Sequence, residues 1–142
     1  MTLRSAILAL LLCAAHAQAR TLYVSTTGSH DTNAPAFSTW ATAATNIQAA
    51  INAASGGDTI RIAHGTYTID AAATNTAMCY VNKPLSIIGG RGTLFDADKT
   101  ILNANGNRRV MSFGNASDPS VLRGVTLTGA NKIGRASCRE RV

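Results

Sequence analysis

The tightest acidic pair of this sequence is formed by Asp96 and Asp98, which are separated by one alanine. On an extended strand, residues two apart point to the same side, so both carboxylates could reach one cation. Calcium takes six to eight oxygen ligands and draws part of them from carboxylates. The pair is therefore the candidate calcium site, and calcium is the one cofactor that the sequence suggests. The alternative is a solvated turn, because aspartate is also favoured in turns.

Three arginines, Arg108, Arg109 and Arg123, are the candidate ligands for an acidic polysaccharide. The planar guanidinium fork matches a carboxylate with two parallel hydrogen bonds, which suits a uronate sugar. The alternative for all three is a solvated position, which is the common fate of neighbouring arginines at a turn. Substrate binding by these residues is thus a prediction about their chemistry.

No catalytic residue is assigned from the sequence. His64 has no serine, cysteine or second carboxylate close to it in sequence, which argues against a catalytic triad. The sequence also contains no Walker loop, Rossmann glycine pattern, zinc-ligand spacing or nucleophile elbow. Cys79 is the one cysteine outside the two terminal segments described next, and one cysteine builds neither an intrachain disulfide nor a Cys-based zinc site. We expect a buried thiol.

The first 19 residues are typical of a cleaved export signal. Arg4 is followed by an uncharged apolar run at 6–15 and then by small residues that alternate up to Ala19. The run is too short for a permanent membrane helix, which needs roughly 20 apolar residues. Cleavage after Ala17 or Ala19 would satisfy the requirement for small residues. We therefore expect a secreted or cell-surface protein without a transmembrane segment after cleavage.

The last residues, 132–142, differ in composition from all that precedes them. They carry three arginines, a cysteine and the sole glutamate of the sequence. The string from Ile133 onward matches the translation of a common sequencing adapter, and we interpret 132–142 as non-native; a natural basic tail is the alternative. Between Arg20 and Asn131, eight basic residues stand against six acidic ones. This surplus is too small to predict a nucleic-acid partner.

The middle of the chain predicts a β-rich domain that begins with one short helix. Thr45 and Gln48 fit a capping box, and an apolar stripe predicts a helix from Asn46 to Ala54. Stretches rich in β-branched residues predict strands at 23–25, 59–62, 66–69, 85–88, 100–102, 110–113 and 121–127. The units LSIIGG and VTLTG, with Gly89 and Gly129 forty residues apart, suggest two turns of about 20 residues each. A β-sandwich with regularly spaced strands is the alternative.

Three segments carry a resemblance to a known family: YVSTTGS at 23–29, FSTWATAATNIQAAINAA at 37–54 and GGDTIRIAHGTY at 56–67. Together they resemble the opening of secreted right-handed parallel β-helix proteins, the superfamily that includes pectate lyases. The resemblance implies an all-β solenoid. Residues 20–57 would form a first strand, a loop and a helix that covers the open end, and 58–131 the first turns of an incomplete coil.

The resemblance also gives roles to two aromatic residues of the covering segment. Phe37 and Trp40 would pack between this segment and the first turns. An aromatic platform for a sugar ring is the alternative for Trp40.

Two functions remain open. The first is an exported β-helix surface or secreted protein of unassigned activity that binds a polysaccharide or a cell-surface glycan. The second is a polysaccharide lyase or hydrolase for an acidic glycan, with most of its active site outside this part of the chain. One fold hosts many functions, so the fold does not decide between them. The absence of a strong constellation of carboxylates and basic residues favours the first.

Overall fold

The computed structural model describes residues 18–33, 35–68, 77–90, 97–114 and 119–131. Within these ranges, the chain forms eight strands and one short helix. In chain order they are β1 (Thr21–Val24), α1 (Ile47–Ala53), β2 (Thr59–Ile62), β3 (Gly65–Thr68), β4 (Ala77–Val81), β5 (Ser86–Gly89), β6 (Thr100–Phe113), β7 (Val121–Arg123) and β8 (Thr126–Ala130). All strand pairs among the described residues are parallel. The predicted β-rich fold is confirmed at this level.

Sheet 1 consists of β1, β2, β5 and β7, in that order. In β1, β2 and β5 the second and fourth residues are buried and the others are not, as expected for strands with one face on a core. Leu22, Ile60 and Ile87 lie side by side in register and are at most 1% exposed. This column of aliphatic side chains is the centre of the core. The strand predicted at 59–62 is confirmed with its bounds.

Strand β6 belongs to two further sheets. Its residues 100–103 pair with β3 and β8 in sheet 2, and its residues 109–113 pair with β4 in sheet 3. Between them, Asn105 and Gly106 have positive φ angles of 51° and 74°, a region that glycine and asparagine enter most easily. The two strands predicted at 100–102 and 110–113 are therefore one bent strand.

The opposite correction applies to the strand predicted at 121–127. Gly124 has a φ of 65°, which turns the chain between β7 of sheet 1 and β8 of sheet 2. The stretch is thus two strands in different sheets. Its continuous run of strand-forming residues gave no sign of this turn except the glycine itself.

The strands follow one another through the sheets in a fixed order. After α1 the chain passes through sheet 1, sheet 2 and sheet 3, returns to sheet 1 and repeats the same order through β5 and β6 to β7 and β8. The result is a strongly curled arrangement of parallel strands, like half of a barrel. Parallel neighbours need such crossover connections because their ends lie far apart.

The repeat predicted from Gly89 and Gly129 is wrong in its alignment. Gly89 ends β5 in sheet 1, whereas Gly129 lies in β8 of sheet 2. In sheet 1, β5 is followed by β7, where Ile88 pairs with Arg123, and a Cβ on Gly89 would overlap the carbonyl oxygen of Gly124. The glycine equivalent to Gly89 is therefore Gly124. The sequence distance between paired residues, from β2 to β5 and from β5 to β7, also differs from the predicted value of about 20 residues.

Strand β4 was not predicted from the sequence, although its burial alternates regularly. Ala77, Cys79 and Val81 point inward and are at most 3% exposed. The predicted burial of the Cys79 thiol is confirmed, and this burial raises its pKa to about 12.

Helix α1 is shorter by one residue at each end than predicted, and its cap differs. The Asn46 side chain accepts a hydrogen bond from the Ala49 backbone N–H at 2.8 Å, so Asn46 is the N-cap. Asparagine is among the best N-cap residues. The predicted capping box is therefore wrong: the Thr45 hydroxyl contacts Nδ1 of His30 at 3.0 Å instead. Ile47, Ala50 and Ile51 are buried, which confirms the apolar stripe.

The segment that precedes α1 covers the edge of β1. Tyr23 of β1 donates to the Phe37 carbonyl at 2.8 Å and accepts from the Ala44 N–H at 2.9 Å, so residues 37–44 lie where a neighbouring strand would. Phe37 is 2% exposed, and the half-buried Trp40 contacts Tyr23 in a tilted arrangement, with ring centroids 4.6 Å apart and an angle of 58° between the ring planes. The packing predicted for Phe37 is confirmed, and that of Trp40 is confined to its contact with Tyr23, so the sugar platform at Trp40 stays a prediction. Covering an edge in this way prevents pairing with other chains.

Candidate functional site

The outward face of sheet 2 carries polar side chains in register on three neighbouring strands. Two rows run across the strands: Thr66, Ile101 and Thr126, and then Thr68, Asn103 and Thr128. The four threonines are exposed, and the two middle residues are half-buried. Neighbouring strands lie about 4.8 Å apart, and residues two apart on a strand about 6.6 Å. These six residues, the threonine face, thus form a regular grid of four hydroxyls, one amide and the apolar side chain of Ile101.

The amide in the middle of the threonine face is held in place. Oδ1 of Asn103 accepts a hydrogen bond from the Asn105 N–H at 2.8 Å. On its other side lies Gly129, where a Cβ would overlap the same oxygen. Fixing Oδ1 leaves the amide NH₂ as the part that can reach a ligand. Thr126 is also fixed, because its hydroxyl donates to the Ala97 carbonyl at 2.6 Å.

A cleft of about 240 Å³ adjoins the threonine face. It lies between β3 and the segment before α1. Its wall carries the hydroxyls of Thr26, Thr45, Thr66 and Thr68 and the amide of Asn46, with Ile47, Tyr67 and Met78 as apolar neighbours. We call it the lid cleft. It shares Thr66 and Thr68 with the threonine face, so the two form one continuous surface. The cleft is slightly smaller than the pockets of roughly 300–1,000 Å³ that hold drug-sized ligands.

The described lining of the lid cleft offers uncharged hydrogen-bonding groups. Among the described residues, no Asp, Glu, Lys, Arg or His lines it. The titratable side chain within that lining is Tyr67, whose hydroxyl donates to the Ala63 carbonyl at 3.0 Å. Burial raises the pKa of Tyr67 to about 12, against a smaller opposing effect of a hydrogen bond with Thr26. A phenol with that pKa is a poor acid or base near neutral pH. The described lining can therefore form hydrogen bonds with an uncharged, hydroxyl-rich ligand.

The three predicted arginine ligands lie on two different strands. Arg108 is half-buried and Arg109 is exposed, and both lie on β6. As consecutive residues of a strand they point to opposite sides. Arg123 is exposed on β7 of sheet 1, where it pairs with Ile88. The structure therefore does not align the three on one strand or one face, and their binding role stays a prediction.

Of the predicted calcium pair, Asp98 is exposed in the turn at 97–99 that precedes β6, and Asp96 lies outside the described residues. Among the residues that are described, no three or more His, Cys, Asp or Glu side chains form a group that could hold a metal ion. The calcium site stays a prediction.

Sequence reasoning missed the threonine face. The signal was present in the triplets TYT at 66–68 and TLT at 126–128, which have the same period-two pattern. The triplet between them in the sheet is ILN at 101–103, and it hides the repeat. The three triplets become one surface only when the pairing of β3, β6 and β8 is known.

Comparisons of the chain with protein-family models, with curated proteins and with solved structures found no match. In the described part of the chain, no helix has the length and apolar character that a membrane crossing requires. Function therefore rests on the geometry of the chain's own residues.

Proposed function

We propose that the chain is an exported, right-handed parallel β-helix protein that binds a polysaccharide along the threonine face and the lid cleft. The repeated passage of the chain through sheets 1, 2 and 3 supports the β-helix, because a solenoid of this type stacks each strand on its equivalent in the preceding turn. The segment at 1–19 supports export.

The observation that carries the binding proposal is the in-register grid of hydroxyls and one amide on three strands. A polysaccharide presents hydroxyls at regular intervals along its length, and each protein hydroxyl can both donate and accept. An uncharged grid on hydrogen-bonded strands offers several such bonds without the entropy cost of ordering a loop. Because no charged residue is found among the described residues that line the lid cleft, the proposal favours a neutral polysaccharide over an acidic one.

The test is binding of soluble neutral and acidic polysaccharides, measured by calorimetry, to the exported protein and to the variants Thr66→Val and Thr68→Val. Valine keeps the β-branched shape and removes the hydroxyl. Each variant should weaken binding of a neutral polysaccharide about two- to tenfold, the range expected for losing one net hydrogen bond. Thr21→Val is the matched control, since Thr21 is exposed on β1 of sheet 1. Unchanged affinity in both test variants would contradict the proposal.

The same measurement separates the second function, a polysaccharide lyase or hydrolase for an acidic glycan. In that case binding would be strongest for an acidic glycan, would weaken with salt and would fall in Arg109→Gln and Arg123→Gln. Shortened sugar chains would accumulate during incubation. Binding of a neutral polysaccharide that is insensitive to salt and leaves the chain length unchanged favours the first function.

A further inference from the structure

Arg20 and Asp58 meet at the beginning of sheet 1. The backbone N–H of Arg20 donates to Oδ1 of Asp58 at 2.8 Å, and Nη2 of the same arginine lies 3.4 Å from Oδ2. The Asp58 side chain is 3% exposed, whereas that of Arg20 is 46% exposed. A buried carboxylate thus touches the backbone nitrogen of a residue that itself reaches solvent.

The position of this carboxylate is fixed from several sides. Ser55, just after α1, donates its backbone N–H to Oδ2 of Asp58 at 2.8 Å. The backbone of Asp58 is held as well, because its N–H donates to the Ser55 carbonyl and its carbonyl accepts from the Ser86 N–H, both at 3.1 Å. Thr59 in turn donates to the Arg20 carbonyl at 2.8 Å. The carboxylate is therefore part of a built site that joins β1, β2, β5 and the end of α1.

The carboxylate is ionised and has one cationic partner among the described residues. Burial opposes ionisation, but the hydrogen bonds from Ser55 and Arg20 and the charge of the guanidinium outweigh it and hold the pKa of Asp58 below its ordinary value. The guanidinium also donates to the Ala53 carbonyl at 3.1 Å. Nζ of Lys83 donates to the Ala54 carbonyl at 2.7 Å. The site can accept a second cation.

The peptide bond that precedes Arg20 is a point at which such a cation can arise. Ala19 and Gln18 are exposed, and Ala17 and Ala19 are the small residues that an export signal presents before its cleavage site. Hydrolysis adds water across the bond between Ala19 and Arg20. The Ala19 carbonyl takes the hydroxyl and becomes a carboxylate, and the Arg20 nitrogen keeps its hydrogen, gains protons and becomes an ammonium group.

We propose that the export signal is cut between Ala19 and Arg20, and that the new α-ammonium group of Arg20 binds the buried carboxylate of Asp58 and anchors the mature N-terminus. The proposal rests on the proposed export of the chain. A cut after Ala17 would instead leave the Arg20 nitrogen as a neutral amide. With the amide, only the acceptor of this hydrogen bond is charged, whereas with the ammonium group both partners are charged, so only the first cut adds a charge–charge attraction to this contact. Removal of the signal and stability of the first strand are then coupled.

The first experiment is expression of the full chain, 1–142, in a secreting bacterial host, followed by intact-mass measurement of the exported protein. We expect Arg20 as the first residue. A first residue of Gln18 would overturn this inference and leave the proposed export intact. Retention of the uncut chain in the cytoplasm would remove the proposed export and this inference together.

The second experiment compares two chains that end at residue 142 and begin at Arg20 or at Gln18. The chain that begins at Arg20 should melt about 4–8 °C higher at pH 7, the shift expected for one additional net interaction in a domain of this size. Asp58→Asn should abolish the difference. Arg20→Gln is the matched control, because it removes the guanidinium but keeps the α-amino group, and the difference should persist. Equal melting of the two unsubstituted chains would overturn the anchor.

A third measurement keeps the anchor testable if Asp58→Asn does not fold. An ordinary α-amino group has a pKa of about 7.7–8.0 and is labelled selectively by an activated ester near pH 7. An amine held by Asp58 should be labelled several times more slowly in the chain that begins at Arg20 than in the chain that begins at Gln18. Equal labelling rates would overturn the anchor.

Discussion

The side chain of Gln48 forms both of the backbone hydrogen bonds that a neighbouring strand would make to Tyr80. Its amide oxygen accepts from the Tyr80 N–H at 2.7 Å, and Nε2 donates to the Tyr80 carbonyl at 3.3 Å. The same Nε2 contacts Oδ1 of Asn52 one helical turn away, at 2.8 Å, which holds the amide in this orientation. Gln48 of α1 thus satisfies the backbone N–H and carbonyl of Tyr80 at the outer edge of β4. In the predicted capping box, the same side chain would instead have pointed back to the helix N-terminus.

Replacing Gln48 should expose this edge. We expect Gln48→Ala to lower the free energy of unfolding by about 1–2 kcal/mol, because two backbone groups of Tyr80 lose their partners. Gln48→Glu keeps an acceptor for the Tyr80 N–H but loses the donor. Its free energy of unfolding should therefore lie between those of the parent and Gln48→Ala. Chemical denaturation of the three proteins measures the order. Equal stability of Gln48→Ala and the parent would show that water replaces the amide without cost.

Gly89 should not tolerate a side chain. A Cβ at this position would overlap the Gly124 carbonyl in the neighbouring strand, so Gly89→Ala should destabilise the fold by about 1–3 kcal/mol, the usual cost of overpacking a core. Gly56→Ala is the matched control, because its added methyl would meet Pro84 at an ordinary 3.4 Å. Thermal melts of the two variants test the pairing of β5 with β7. A harmless Gly89→Ala would contradict that pairing.

Stability should fall in alkaline solution because of two buried groups. The folded state raises the pKa of Cys79 from 9.0 to about 12 and that of Tyr67 from 10.0 to about 12. A raised pKa means that the folded chain holds the proton more tightly than the unfolded chain does. The stability that each group contributes is therefore complete below its pKa in the unfolded chain and is lost as the pH rises towards 12. Unfolding free energies measured between pH 8 and pH 11 should therefore decline above about pH 9.

Cys79→Ala tests which group causes the first part of this decline. The variant should lose the pH dependence near pH 9 and keep the later part that comes from Tyr67. In the parent, the buried thiol should also resist a thiol reagent at pH 8 until the chain is denatured. These measurements use Cys138→Ser as the background, so that a second thiol does not contribute. Rapid labelling of native Cys79 would contradict its burial.

The C-terminal edge of the described fold should promote association. Within the described residues, β7 and β8 each pair on one side, and Phe113, Val121 and Leu127 are 37–49% exposed. Open strand edges with exposed apolar residues recruit other chains. Leu127→Lys should shift sedimentation profiles towards monomer, whereas Thr21→Lys, on the covered edge strand β1, should not. A parent chain that is monomeric at high concentration would contradict this prediction.

How far the sequence predicted the fold depended on the range of the interaction involved. The strand at β2 was predicted because its period-two pattern is local, and so was the stripe of α1. The sequence did not predict that Asn46 and not Thr45 is the N-cap, because both are good capping residues. The Thr45 hydroxyl contacts His30, which lies fifteen positions earlier in the chain, and Asn46 caps the helix instead. Strand β4 was missed because its alanine and methionine have no strand preference.

The candidate site was less predictable than the fold. A row of the threonine face joins Thr68, Asn103 and Thr128, which are far apart in sequence and meet only through strand pairing. The turn at Gly124 places Thr128 in sheet 2, whereas the sequence pattern predicts one continuous strand at 121–127. Chemistry that depends on single residues could be named from the sequence, whereas a surface assembled from several strands could not.

The order in which strands pair has a consequence for a chain that leaves the cell N-terminus first. β2 pairs with β1, β5 with β2 and β7 with β5, and β6 joins β3 and β4 before β8 is added to it. Within the described residues, β2, β5, β6, β7 and β8 each pair with a strand that precedes them in the chain, whereas β1, β3 and β4 pair only with later strands. If the chain is exported as proposed, sheet 1 gains β2, β5 and β7 one at a time as they emerge, and each newly paired strand opposes backward sliding of the chain.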